Sequence, residues 1–117
     1  MAEFVLLLHE DPSDLADLSP NEIESVIGKY MAWRQKLAAD GRLAGGMKLK
    51  DDGGRWLSQR DGAVRVTDGP YSEAKEVVGG LFMIKAADYA EAVAISQTCP
   101  HIAYGGRIEL RQVDPVG

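Results

Sequence analysis

Two runs of large apolar residues constrain this chain more than anything else in it: Phe4-Val5-Leu6-Leu7-Leu8 and Leu81-Phe82-Met83-Ile84. Each is short and flanked by polar or glycine residues, so each reads as a strand rather than a buried helix. Successive side chains of a strand point to opposite faces, so both runs are apolar front and back. A sheet with one wet face would alternate apolar and polar residues instead. Both faces of a sheet built on these strands therefore need cover.

The remaining elements show what cover the chain owns. Ser19-Pro20-Asn21-Glu22 is a capping box with proline in the first turn, and Gly41 is a natural stop, so a helix runs near 20–39. Its Ile23, Val26, Ile27, Tyr30, Met31 and Leu37 recur at helical spacing as a core-facing stripe, with Tyr30, Met31 and Trp33 as core or dimer contacts. Asp88 and Glu91 repeat the capping signal for a second helix, with Tyr89, Ala92, Val93 and Ser96 inward and Pro100 ending it. Leu43 to Leu49 is a weaker strand, loosened by Gly45 and Gly46. Arg55 to Arg60 and Ala63 to Thr67 flank Asp61-Gly62, a type I′ hairpin signal that pairs Arg60 with Ala63 and Leu57 with Val66. That register gathers Leu57, Gln59, Val64 and Val66 on one face and Trp56, Ser58, Arg65 and Thr67 on the other. Residues 107–113 form the last strand.

The order strand, helix, strand, hairpin, strand, helix, strand fits one α+β domain over residues 1–117, a ferredoxin-like αβ plait with two helices on one face of an antiparallel sheet. Two helices dry only one side. The economical cover for the other is a second copy, sheet against sheet about a two-fold axis. Loop 50–56 or loop 68–77 folding across the sheet would be the monomeric solution.

Charge narrows the partners. Eighteen acidic against thirteen basic residues give a net charge of −5, with no positive footprint for nucleic acid or a membrane surface. No apolar run approaches the roughly 20 residues that span a bilayer. The single Cys99 suits a reducing compartment, so a cytoplasmic location is expected.

Three segments together are recognisable. Val66-Thr67-Asp68-Gly69-Pro70-Tyr71-Ser72-Glu73-Ala74-Lys75-Glu76 runs into Val77-Val78-Gly79-Gly80-Leu81-Phe82-Met83-Ile84, and Cys99-Pro100-His101 leads through Gly105-Gly106 into Arg107 to Val113. With the opening strand Phe4 to Leu8, these resemble the YCII-related family over nearly the whole chain. The nearer likeness is to its DGPF branch, whose motif reads Asp68-Gly69-Pro70-Tyr71 here, tyrosine replacing phenylalanine. The resemblance implies a domain that dimerises into an α/β barrel. For function it implies several things at once: members of unknown role, neighbours of extracytoplasmic-function sigma factors, and one dehydrochlorinase acting on a chlorinated hydroxyquinol. A His–Asp pair with its histidine on the first helix is also implied for a sister branch, but this chain has no histidine between 20 and 39.

The residues that could carry chemistry are few. His9 ends the first strand beside Glu10 and Asp11, with a side chain suited to proton transfer near neutrality, or it is an exposed loop histidine. His101 could meet Asp68 as a general-base pair, or cap helix-end carbonyls. Asp68 could equally fix its own turn and aim Tyr71, Lys75 and Glu76 into a cleft. Arg107 and Arg111, about 14 Å apart along one strand face, could grip an anion or pair with Glu109. His9, Glu10, Asp11 and His101 lack metal-ligand spacing, and Gly45-Gly46 and Gly79-Gly80 match no nucleotide loop, so neither metal nor cofactor is expected. The expectation is a small-molecule cleft rimmed by Asp68, Tyr71, His9 and His101. Proton abstraction or elimination by a His–Asp pair is the catalytic alternative, and a sigma-factor-linked regulatory partner the third.

Overall fold

A computed structural model describes residues 1–11, 13, 17–69 and 76–116. In chain order the elements are β1 (Ala2–Glu10), α1 (Pro20–Ala39), β2 (Leu43–Lys48), β3 (Arg55–Arg60), β4 (Ala63–Asp68), β5 (Val77–Ala86), α2 (Tyr89–Ser96), α3 (Pro100–Ala103) and β6 (Arg107–Gln112). Four strands form one antiparallel sheet in the order β2-β5-β1-β6, and β3 and β4 form a separate two-stranded sheet. The mixed α+β architecture is consistent with a ferredoxin-like plait into which a hairpin has been inserted between β2 and β5.

The two apolar runs are the central strands, as their composition requires. Phe4, Leu6 and Leu8 of β1 and Phe82, Ile84 and Ala86 of β5 point to one side, where Trp33 and Leu37 of α1, Ala92 of α2 and Cys99 complete the core. Trp33 meets Phe82 edge-on at 5.0 Å between centroids, and its indole N–H donates to Thr98 Oγ1 at 2.8 Å. Helix α1 starts as its sequence dictates: Glu22 N–H donates to Ser19 Oγ at 3.2 Å while Ser19 N–H donates to Glu22 Oε1 at 3.3 Å. It stops in a Schellman motif, with Gly41 at φ 71° donating to the Ala38 carbonyl and Arg42 to that of Leu37.

Three helical expectations need correction, the first in α2 (Tyr89–Ser96), where Ala92 and Ser96 are buried as expected but Tyr89 and Val93 are exposed. Only Val26, Trp33 and Leu37 of α1 are buried; Ile23, Ile27 and Met31, four residues apart along one row, are exposed. The helix touches the sheet along a stripe narrower than its apolar surface. Pro100 does not simply end α2, which has already closed at Gln97, but opens the short helix α3 at a position that needs no N–H.

The other face of the large sheet carries Val5, Leu7, Leu81 and Met83, half-buried among themselves, and the exposed Met47. Among the described residues no helix lies across it. Nor does the hairpin, whose β3 and β4 residues are all exposed. The hairpin register is the one read from Asp61-Gly62, with Arg60 opposite Ala63 and Leu57 opposite Val66. Both turn residues have positive φ, 53° and 78°. Standing off the body, it spreads the molecule to 48 × 44 × 18 Å. The radius of gyration is 16.2 Å, against roughly 13 Å for a compact chain of this length. No described helix is long and apolar enough to cross a membrane.

Candidate functional site

The end of β1 is where the fold concentrates polar groups. His9 lies opposite Arg107 of β6, and Leu7 opposite Glu109. His9 and Glu109 are therefore diagonal neighbours on the open sheet face, and the imidazole Nε2 sits 2.9 Å from Glu109 Oε1. The other carboxylate oxygen accepts from Arg111 Nη1 at 3.2 Å. The hydrogen bond from His9, then that from Arg111, holds the Glu109 carboxyl below its ordinary range. A carboxylate can only accept, so Nε2 carries the proton and Nδ1 is the lone-pair nitrogen of the neutral ring. This is the arrangement in which a carboxylate orients a histidine for proton transfer.

His101 plays a different part. It is 4% exposed, and both ring nitrogens are engaged. Nε2 lies 2.8 Å from the carbonyl oxygen of His9, and Nδ1 lies 2.8 Å from the hydroxyl of Tyr30. The carbonyl can only accept, so Nε2–H donates and Nδ1 accepts from Tyr30. Burial, and then the charges of Cys99, Glu10 and Tyr104, raises the Tyr30 pKa, keeping the hydroxyl protonated for that role. Gly106 makes room for the ring: a Cβ there would stand 2.2 Å from Nε2. His101 thus ties α1 and α3 to the backbone of the residue whose side chain meets Glu109.

A cleft of ≈ 770 Å³ opens beside His9, with Glu10, Lys48, Arg55, Trp56 and Glu76 among its walls. It lies between the end of the large sheet and the neck of the hairpin. Of the residues expected to rim a pocket, His9 is on this cleft, and His101 is buried behind it. Asp68 is an exposed neighbour whose carboxylate pairs with Arg55 at 3.2 Å. His101 bonds to Tyr30 and the His9 carbonyl and Asp68 pairs with Arg55, and no hydrogen bond or ion pair joins His101 to Asp68. Arg107 is exposed and lies 3.7 Å from Glu76, not on Glu109. Tyr71 and Lys75 lie outside the described residues. Among the described residues no three His, Cys, Asp or Glu side chains converge as a metal site.

Sequence reasoning missed Glu109 and Tyr30 as the partners of the two histidines. The first could have been found once β1 and β6 are taken as antiparallel neighbours, because positions 9 and 109 then share a face. The second carries no local signal.

Fold and site together define an α+β plait domain with a histidine–carboxylate pair at the end of its central strand. The sequence matches the YCII-related domain over residues 2–116, and the chain belongs to that family. No curated protein matches it.

Proposed function

We propose that the protein is a homodimeric, cytoplasmic YCII-related domain of the DGPF branch that binds a small molecule in the cleft between β1 and the hairpin neck. The observation that carries this reading is His9, which lines the cleft and is oriented by Glu109 at 2.9 Å. Glu76, just past the Asp68-Gly69-Pro70-Tyr71 motif region, lines the same cleft, which supports a ligand site near that motif. The half-buried Val5, Leu7, Leu81 and Met83 face, across which no described helix or strand lies, supports pairing with a second copy. Amide chemical shifts recorded while titrating simple phenols and carboxylates test the cleft. Shifts should cluster at residues 9–11, 48–56 and 76–79, and a scatter unrelated to these segments refutes the site. Light scattering tests the dimer, which a mass near 13 kDa at micromolar concentration refutes.

The His9–Glu109 pair also favours a second reading, an enzyme that abstracts a proton from its ligand, although through these residues rather than His101 and Asp68. Chloride release from a chlorinated hydroxyquinol, lost in His9→Ala, is the result that reading requires. A sigma-factor-linked regulatory role rests on the family resemblance alone.

A further inference from the structure

Two glycines beside the cleft are required by what lies against them, not by their own backbone. Neither Gly69 nor Gly79 has a positive φ, so residues with side chains adopt such conformations freely. A Cβ at Gly69 would stand 2.5 Å from Trp56 Cδ1 and 2.6 Å from both Trp56 Nε1 and the Gly53 carbonyl oxygen. A Cβ at Gly79 would fall on the Glu10 carboxylate, with Glu10 Cγ 3.3 Å away. Carbon atoms in good contact are about 3.5–4.0 Å apart, so a methyl at either position displaces the side chain beside it. Those two side chains, Trp56 and Glu10, are both walls of the cleft that His9 lines.

The strand geometry fits this use. Leu8 lies opposite Gly80 and His9 opposite Val78, so Gly79 is the extra residue of a bulge in β5. A bulge re-aims the side chains around it, and a glycine inside a strand marks a close approach. At the hairpin neck, Gly69 N–H donates to the Gly54 carbonyl at 3.1 Å, and Gly53 and Gly54 line the cleft. The pair Gly79-Gly80 matches no nucleotide loop, and Gly69 sits at the centre of the Asp68-Gly69-Pro70 motif.

We infer that Gly69 and Gly79 are positioning residues of the cleft: each offers bare backbone against which one wall side chain, Trp56 or Glu10, is laid aside, leaving room for a ligand beside His9. This rests on the small-molecule reading above and adds what keeps the mouth of the site clear. A side chain pushed off its glycine moves into the free space it already borders, which is the cleft.

A neutral nitroxide, hydroxy-TEMPO, added to nitrogen-15-labelled protein tests this without a ligand, because it speeds relaxation at every amide that it reaches. Gly79→Ala meets only the flexible end of Glu10, and the nitroxide effect at residues 9–11 and 76–79 should drop. Adding Glu10→Ala to Gly79→Ala should restore it. Gly45→Ala, in β2 with nothing within 4 Å of its Cβ, should change nothing at those residues. An effect unaltered by Gly79→Ala, or not restored by the double substitution, overturns the role of Gly79, as does a cooperative loss of fold in Gly79→Ala on melting. Gly69→Ala should move the indole N–H resonance of Trp56 and leave that of Trp33, which is bonded to Thr98. An unmoved Trp56 resonance, or hairpin resonances collapsing to unfolded positions, overturns the role of Gly69. Phenol then separates this inference from the reading beneath it. Phenol shifts that avoid the cleft in the native chain refute the ligand site and with it any use for a cleared mouth. Phenol bound in the cleft equally well by the native chain and Gly79→Ala keeps the site and overturns the positioning role; a several-fold weaker affinity in Gly79→Ala is expected.

Discussion

Removing one oxygen atom from Tyr30 should weaken the whole domain. Tyr30→Phe keeps the ring and opens no large cavity, but deprives His101 Nδ1 of its donor at 2.8 Å. The imidazole is 4% exposed, so water cannot easily replace the hydroxyl. Moving the ring proton to Nδ1 does not help, because the bond from Nε2 to the His9 carbonyl is then lost instead. One buried acceptor is orphaned either way, at a cost of about 1–3 kcal/mol. For a chain of this size that lowers Tm by roughly 4 °C per kcal/mol. Urea unfolding followed by circular dichroism gives the free energy, and an unchanged m-value shows that the native and unfolded states have kept their extents. In a His101→Ala background the same substitution should cost almost nothing, since its partner is already gone. A loss below about 0.5 kcal/mol in the otherwise native chain would refute the view that this hydrogen bond is a structural tie.

Four other outcomes follow from the same geometry. The unfolded chain releases the Tyr30 proton near its ordinary value of 10.0 and the folded chain only at higher pH. The unfolded state therefore binds fewer protons above pH 10, stability falls as pH rises from there, and Tyr30→Phe should lessen that fall in alkaline unfolding curves. His9→Ala should move the Glu109 carboxyl upward toward 4.5 in a carbon-13 titration, because its main hydrogen-bond donor is removed; an unmoved titration would mean that Arg111 alone sets it. Gly106→Ala drives a Cβ into the His101 ring and should cost about 2–4 kcal/mol through overpacking and a displaced buried bond, read by thermal melting. Cys99 is buried, and that burial raises its thiol pKa, so alkylation by iodoacetamide should be slow in the native protein and accelerate in urea.

Much of the fold was legible where local chemistry decides. The capping box at Ser19 and Glu22 and the stop at Gly41 set α1 to its observed ends, and Asp61-Gly62 set the hairpin register. The doubly apolar runs gave the central strands. Packing breadth was not legible: periodicity shows that Ile23, Ile27 and Met31 lie in one row, but not that the sheet below stops short of them. Pro100 was ambiguous because the same ring that ends one helix suits the first turn of the next. The site was less readable still. His9 could be singled out from its place at the end of a strand, but its partner lies 100 positions away and depends on strand order. The contact between Tyr30 and His101 depends on how α3 docks against α1, for which neither residue carries a nearby cue.

What His101 grips at the end of β1 is a main-chain carbonyl, a group that every amino acid possesses. That clasp does not depend on which side chain stands at position 9. A replacement of His9 would remove its cross-strand bond to Glu109 but leave the clasp from His101 in place, so the mouth of the cleft can change its reagent while β1 stays pinned to α3.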